Sequence, residues 1–386
     1  MITSGFAYIA FLIFFAAMIV AVRKLTDWKI FKFVPPIVMV YLFNMLFSTI
    51  NLWDMEATSV AYSATKNNLL YAMIFVMLLR CDFRKLAKLG GRMISIFMGG
   101  AISIAIGFVL MYVLFKGVLG VESWRGMAAL CASWIGGSGN MAAMQDALAV
   151  PEADFGAALI VDTVFYSVWL AIMLVIIPIT SKWNKAMKAD TSKLEAVATE
   201  TRNIEIDQEA KTIDFSSILT LLGISLLVSA VTQYLGGVLA TGMLDSGTIT
   251  VLLVTGIGLV AAMSPIGNIA GVEEMSNVYL YVVIALLASR AGLNEILDAP
   301  IWLLAGLLVM VIHIVVMVLL SKLFRWDLTM VSTASVANIG GPASSPIIAS
   351  AHDPSYAGIG VLMGVLGAAV GNIIGLGVAN IMQMFI

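Results

Sequence analysis

Charge is scarce in this sequence: Asp, Glu, Lys and Arg make up 11% of 386 residues, against roughly a quarter in soluble domains. With hydrophobic residues at 61% and a mean hydropathy of +1.02, that shortage excludes an ordinary soluble domain and identifies a polytopic membrane protein surrounded by the lipid bilayer. A basic surface is missing too. The net charge of -2 and pI near 5.7 leave no footprint for nucleic acid. Cysteine is limited to Cys81 and Cys131, too few for a disulfide framework or a thiolate metal site, and both are read as buried small residues. The basic n-region of a secretory signal is also lacking. The first apolar run, 5–22, is instead followed by Arg23, Lys24, Lys29 and Lys32, which reads as an uncleaved span with its basic end in the cytoplasm.

Apolar runs able to cross roughly 30 Å of hydrocarbon recur at 5–22, 34–52, 67–81, 93–115 and 155–179, and again at 216–234, 248–263, 278–291, 301–320 and 357–384. Between the two sets, 182–215 is a polar cytoplasmic linker, its second part read as a short surface helix. The halves look like copies. The decapeptide from Tyr71 to Arg80 aligns with that from Tyr281 to Arg290, and Ser133-Trp-Ile-Gly-Gly137 aligns with Ala337-Asn-Ile-Gly-Gly341 at nearly the same offset. The expected fold is therefore all-α: an N-terminal repeat over 1–181 and a C-terminal repeat over 216–386, each with five spans and one Gly-rich interruption, at 128–149 and 331–351.

The first interruption contains Gly136-Gly-Ser-Gly-Asn140, and each glycine costs a helix roughly 1 kcal/mol relative to alanine. Backbone that leaves helical geometry at membrane depth has to be buried in protein or line a watery cavity. A re-entrant hairpin, or a broken helix paired with another half-span, returns Lys182, Lys185 and Lys188 to the side of Arg84, Lys85, Lys88 and Arg92, whereas a full crossing puts them outside. Five crossings per half then make the second copy inverted. The hairpins are expected to enter from opposite sides, with both termini outside and the tips meeting near the midplane, where inverted-repeat transporters build their sites.

Candidate solute-binding residues are thus Gly136, Gly137, Ser138, Gly139 and Asn140 at one tip, and Asn338, Gly340, Gly341, Ser344 and Ser345 at the other. Exposed N–H groups there attract an anionic group. Asp162, an acid inside a span, is a functional candidate by default, while Asp146 is either functional or a solvated loop acid. Asn140, Gln145, Asp162, Asn338 and Asn372 offer oxygen ligands for a small hard cation such as Na⁺ and no soft ligand for a transition metal. Of the two aligned arginines, Arg80 and Arg290, both are snorkelling side chains, or Arg290 anchors or gates the solute. Asn44, Ser48, Thr49 and Asn51 either face a moving core or bond their own helix. The leading expectation is a Na⁺-coupled carrier of a small organic anion or zwitterion, with no organic cofactor and no enzymatic activity. Two rivals remain. The run Gly136-Gly-Ser-Gly139 fits the G-x-S-G pattern of rhomboid intramembrane proteases, with His313 as partner to Ser138; a sensor that binds without transporting shares the transporter's site.

Ser133-Trp-Ile-Gly-Gly-Ser-Gly-Asn-Met-Ala-Ala143, the span around Val161-Asp-Thr163, and Asn338-Ile-Gly-Gly-Pro-Ala343 resemble the bacterial membrane-protein family of domain of unknown function 819 over essentially the whole chain. That family is distantly similar to the cation:proton antiporter and bile-acid:sodium symporter superfamily, and to glutamate:sodium and citrate:sodium symporters. The resemblance implies an inner-membrane homodimer with a scaffold, formed by the first two spans of each half, and an elevator-type core. The paired acids of proton antiporters are absent here, since Asp162 has no acidic neighbour, which favours symport over proton antiport.

Overall fold

A computed structural model describes residues 1–32, 34–191, 194, 197, 212–240, 246–292 and 299–386. Most of the linker, including its expected surface helix, lies outside the described residues. The chain forms helices α1 (Gly5–Leu25), α2 (Pro36–Thr49), α3 (Ser59–Leu78), α4 (Gly90–Leu119), α5 (Trp124–Gly136), α6 (Ser138–Ala147), α7 (Glu152–Val175) and α8 (Thr180–Met187). After the linker come α9 (Phe215–Leu239), α10 (Ser246–Ala262), α11 (Val272–Ala288), α12 (Ala299–Phe324), α13 (Leu328–Ile339), α14 (Ser345–His352) and α15 (Ala357–Gln383). Among the described residues there is no strand, only an isolated bridge between Ile2 and Trp53. This is an all-α, multi-pass membrane protein.

Among the described residues six helices are long and apolar enough to cross a membrane, where ten spans are expected from the sequence. The other four fall short for visible reasons. Helices α2, α10 and α11 have 14, 17 and 17 residues. Helix α3 starts eight residues before the expected span, in a polar stretch with Lys66, Asn67 and Asn68. Two of them have protein partners: the Lys66 ammonium lies 2.6 Å from Asp146, and the exposed Asn68 accepts from Gln233 Nε2 at 3.1 Å through Oδ1 and from Ser229 Oγ at 2.8 Å through its carbonyl. Further along α3, every residue over 70–79 except Met77 is buried.

Both interruptions are hairpins. Gly137 takes φ 95°, a conformation that suits glycine alone, and closes α5 by donating to Ser133 O at 2.6 Å. The limbs then run side by side, with Arg125 Nη1 near the start of α5 bonded at 2.8 Å to Leu148 O just past the end of α6. In the second hairpin Gly340 N closes α13 on Val336 O at 2.7 Å, Gly341 takes φ 66°, and Pro342 brings no N–H to continue the helix. Its limbs are joined at their far ends by His352, whose Nε2 lies 2.9 Å from Ser332 Oγ. At both sites the chain therefore turns back toward the end of the bundle it came from.

The hairpins come from opposite ends of the bundle. At one end Arg92 donates to Arg325 O at 2.6 Å, Lys322 to Ala186 O at 3.0 Å and Arg84 to Met263 O at 2.7 Å, and the second hairpin starts here with Leu328 N on Asn184 Oδ1. The first hairpin starts at the other end, where Ile2 pairs with Leu52 and Lys116 with Phe385 O. Along α4, Arg92 and Lys116 are about 36 Å apart at 1.5 Å per residue. The basic clusters at 84–92, 182–188 and 322–325 thus share one end, as the charge pattern requires.

Packing divides the helices into two groups. Helices α1 to α3 pack with α9 to α11, and α4 to α7 pack with α12 to α15. The third helix of each half therefore sides with the first two, where the resemblance implies a scaffold of only the first two spans. Its continuous buried stretch needs cover all round, and α9, α10 and α11 provide it. Within the second group, α15 is the spine. Gly360 and Gly364 lie against Ser345, Pro346 and Pro342 of the second hairpin, while Gly371 and Gly375 lie against Asn140, Ala132 and Met144 of the first. A side chain at any of these positions would hold the backbones apart.

Candidate functional site

The two hairpin tips touch: a Cβ built on Gly341 would sit 3.7 Å from Gly137 Cα. Beside this contact lies a cavity of about 290 Å³, between the two helix groups. Its polar wall comprises Ser133 on α5, Ser138 at the first tip, Asp162, Thr163 and Tyr166 on α7, and Arg80, Glu273, Ser276 and Asn277 on the other group. Met73, Met77, Leu159 and Leu280 make the apolar wall. Asp162 Oδ1 accepts from Ser133 Oγ at 3.1 Å, so the acid on α7 is tied to the limb that leads to the tip. Arg80 Nη1 lies 3.0 Å from Glu273 Oε2.

Of the residues expected to bind solute, Gly136, Gly137, Ser138, Gly139, Gly340 and Gly341 line this cavity. Others stand behind it. Ser344 Oγ is 2.8 Å from Tyr166 OH, and Ser345 Oγ donates to Gly360 O at 2.7 Å, pinning the second hairpin to α15. Asn140 donates to Ala368 O at 3.1 Å, and Asn338 to Ala334 O at 2.9 Å. Arg290 does not join the site. Its guanidinium donates to Met55 O at 2.6 Å and Thr58 Oγ1 at 3.0 Å and stacks 4.6 Å from the Tyr62 ring, at the end where Ile2 lies.

The expected cation ligands split likewise. Asn140, Asn338 and Asn372 are fully buried, and the Oδ1 of each has no hydrogen-bond partner. Asn140 Oδ1 and Gly367 O would each lie 2.7 Å from a Cβ on Gly136, so these two oxygens converge, and Ala337 O would lie 3.4 Å from a Cβ on Gly367. Ile135 O and Ala337 O, at the ends of both first limbs, thus meet at Gly367 of α15, five residues before Asn372. Gln145 lies farther along α6 and donates to Val150 O at 3.4 Å. Asp162 belongs to the cavity.

The proposed Ser138–His313 dyad is not formed. Both ring nitrogens of His313 are engaged elsewhere, Nδ1 with Ser103 Oγ at 2.6 Å and Nε2 with Ser335 Oγ at 2.7 Å, in a buried network that Trp169 joins through Ser335. Asp146 is no solvated loop acid either: it pairs with Lys66 Nζ at 2.6 Å and with Tyr71 OH, its side chain 16% exposed. Cys81 and Cys131 are both buried and free. Asn44 and Thr49 bond back to Val40 O and Met45 O of their own helix.

Sequence reasoning missed three things that the geometry brings out. Glu273 lies just outside the expected apolar run at 278–291, and Arg80 was set aside in favour of Arg290. The glycines of α15 went unread although their helical spacing is plain. The uncharacterized membrane protein YjcL of Bacillus subtilis (strain 168) is 25% identical over 357 residues, covering 89% of this chain and 88% of that protein. The family model described as "Protein of unknown function (DUF819)" matches residues 10–385, and the chain belongs to that family.

Proposed function

We propose that this protein is a secondary active transporter that moves a small organic anion or zwitterion together with Na⁺ by alternating access, its two halves forming an inverted repeat. The observation that carries this reading is the meeting of two glycine-tipped hairpins from opposite ends at a polar cavity holding Asp162 and Arg80. Non-helical backbone at that depth needs a watery cavity or a ligand, and half-helix starts in this arrangement favour an anionic group. Partnerless oxygens on Asn140, Asn338 and Asn372 support a hard monovalent cation, since a buried carbonyl without a donor costs about 1–3 kcal/mol.

The positive-inside rule orients the end bearing Arg84, Arg92 and Lys322 toward the cytoplasm, with Ile2 and Phe385 outside. The cavity mouth, flanked by Arg80 and the 54% exposed Glu273, then faces inward. Docking of both hairpins on α15 fits a core that travels as one body against α1 to α3 and α9 to α11. Uptake into proteoliposomes of a solute panel under an imposed Na⁺ gradient tests the reading. It fails if no solute moves and if Na⁺ leaves the thermal stability of both the wild type and Asp162→Ala unchanged. Saturable binding without flux favours a sensor.

A further inference from the structure

We propose that Arg80 is the group that reads the solute, that it recognises a single carboxylate, and that it does so by exchanging Glu273 for it; this rests on the cavity being the solute site. Among the described residues lining the cavity, Arg80 is the one cation. Its aligned counterpart Arg290 has its guanidinium occupied by Met55 O, Thr58 and two tyrosine rings. Arg80 instead has an ion pair to Glu273, with Nη1 3.0 Å from Oε2. A guanidinium carries five N–H donors in a planar fork that matches a carboxylate bidentately, so one such pair leaves most of that capacity for a ligand.

The pair is also built to open. The Arg80 side chain is 19% exposed and Glu273 54%, so the acid is the wetter partner and swings into solvent with little desolvation to recover. The rest of the wall limits what else the solute carries. Asp162 and Glu273 repel a second anionic group, whereas either accepts an ammonium. Met73, Met77, Leu159 and Leu280 suit an apolar body. The cavity volume of about 290 Å³ is at the small end for ligand pockets, which sets the size at about three to eight carbons. The class is a small monocarboxylate with an apolar body, with or without an amine.

The test measures binding by thermal shift and calorimetry on the purified full-length protein in Na⁺. The probes are straight-chain and branched monocarboxylates of that size with their 2-oxo and 2-amino counterparts, each beside its neutral amide. At least one carboxylate is expected to bind where its amide does not. Arg80→Gln weakens that binding about 10- to 100-fold, the loss expected for a charge-assisted pair, with Arg80→Lys intermediate. Glu273→Gln, which removes the competing carboxylate, tightens it about two- to fivefold. That gain keeps the proposal falsifiable even if Arg80→Gln folds poorly. Binding by no carboxylate, equal binding of acid and amide, or an affinity lowered by Glu273→Gln overturns it. Arg80-dependent binding without Na⁺-driven uptake sinks the transporter and spares this inference; uptake with KM unchanged in Arg80→Gln does the reverse.

Discussion

Replacing Lys66 by methionine removes the cation from the pair that ties the first hairpin to α3. Lys66 and Asp146 side chains are 12% and 16% exposed and 2.6 Å apart, so the pair is nearly desolvated. Breaking a buried pair from one side costs about 3–5 kcal/mol, because the remaining charge is left without compensation. Here Tyr71 still donates to Asp146, which lowers the expected loss for Lys66→Met to about 2 kcal/mol. Asp146→Leu leaves the Lys66 ammonium without its carboxylate, and about 3 kcal/mol is expected. The double variant leaves no unpaired charge, so its loss should be about 1 kcal/mol, far below the sum of the two. Thermal unfolding of the four proteins in detergent measures this cycle. Additive losses, or no loss in either single variant, refute the buried pair. A second readout bears on mechanism. The pair lies at the end away from the cavity mouth, so a membrane-impermeant thiol reagent should reach Ser138→Cys, in a background without Cys81 and Cys131, from that end only when the pair is broken.

Other sites give sharp expectations. Gly137→Ala meets no atom within 4 Å, so its effect is pure backbone strain at φ 95°, about 1–3 kcal/mol of stability together with loss of solute binding; unchanged binding contradicts the tip's role. Na⁺ at about 100 times its Kd should stabilise the wild type by about 2.7 kcal/mol, and Asn140→Ala and Asn372→Ala should lose that response while keeping their K⁺ behaviour, as read by melting curves in the two salts. His313→Ala removes one partner each from Ser103 and Ser335, which keep Gly100 O and Trp169 Nε1, and opens a void, for about 3 kcal/mol; in the unsubstituted protein a serine-reactive phosphonate should leave Ser138 unlabelled.

Much of the architecture was legible because lipid imposes few solutions. The charge pattern asks that Lys182 and Arg92 share an end, and Lys322 and Arg325 lie at that end in space. The glycine runs marked both tips to within a few residues. Hydropathy failed where helices are shielded from lipid. Lys66 is accommodated inside α3 by Asp146, a partner 80 residues away in sequence that a window along the chain does not see. The same limit hid the site's cation. Arg80 and Arg290 are aligned and chemically identical, and only the tyrosines and carbonyls gathered around Arg290 separate a structural role from an available one.

The glycine face of α15 is where fold and proposed motion meet. Gly367 is its midpoint: a Cβ there would overlap Ile135 O of the first hairpin and lie 3.4 Å from Ala337 O of the second. Both obstacles are backbone atoms, and neither can rotate aside as a side chain would. Gly377→Ala supplies the control on the same helix, because a Cβ at that position meets nothing within 4 Å. Helix propensity alone should make Gly377→Ala neutral or more stable by up to about 1 kcal/mol. Gly367→Ala gains the same propensity but has to push the hairpin ends from the spine, an overpacking cost of about 3 kcal/mol. It should also lose the Na⁺ response, since Asn140 and the limb-end carbonyls shift together. Melting curves of the two variants with and without Na⁺ decide it. Equal stability would mean that the hairpins are not clamped on α15, and a core moving as one body would then have no structural basis.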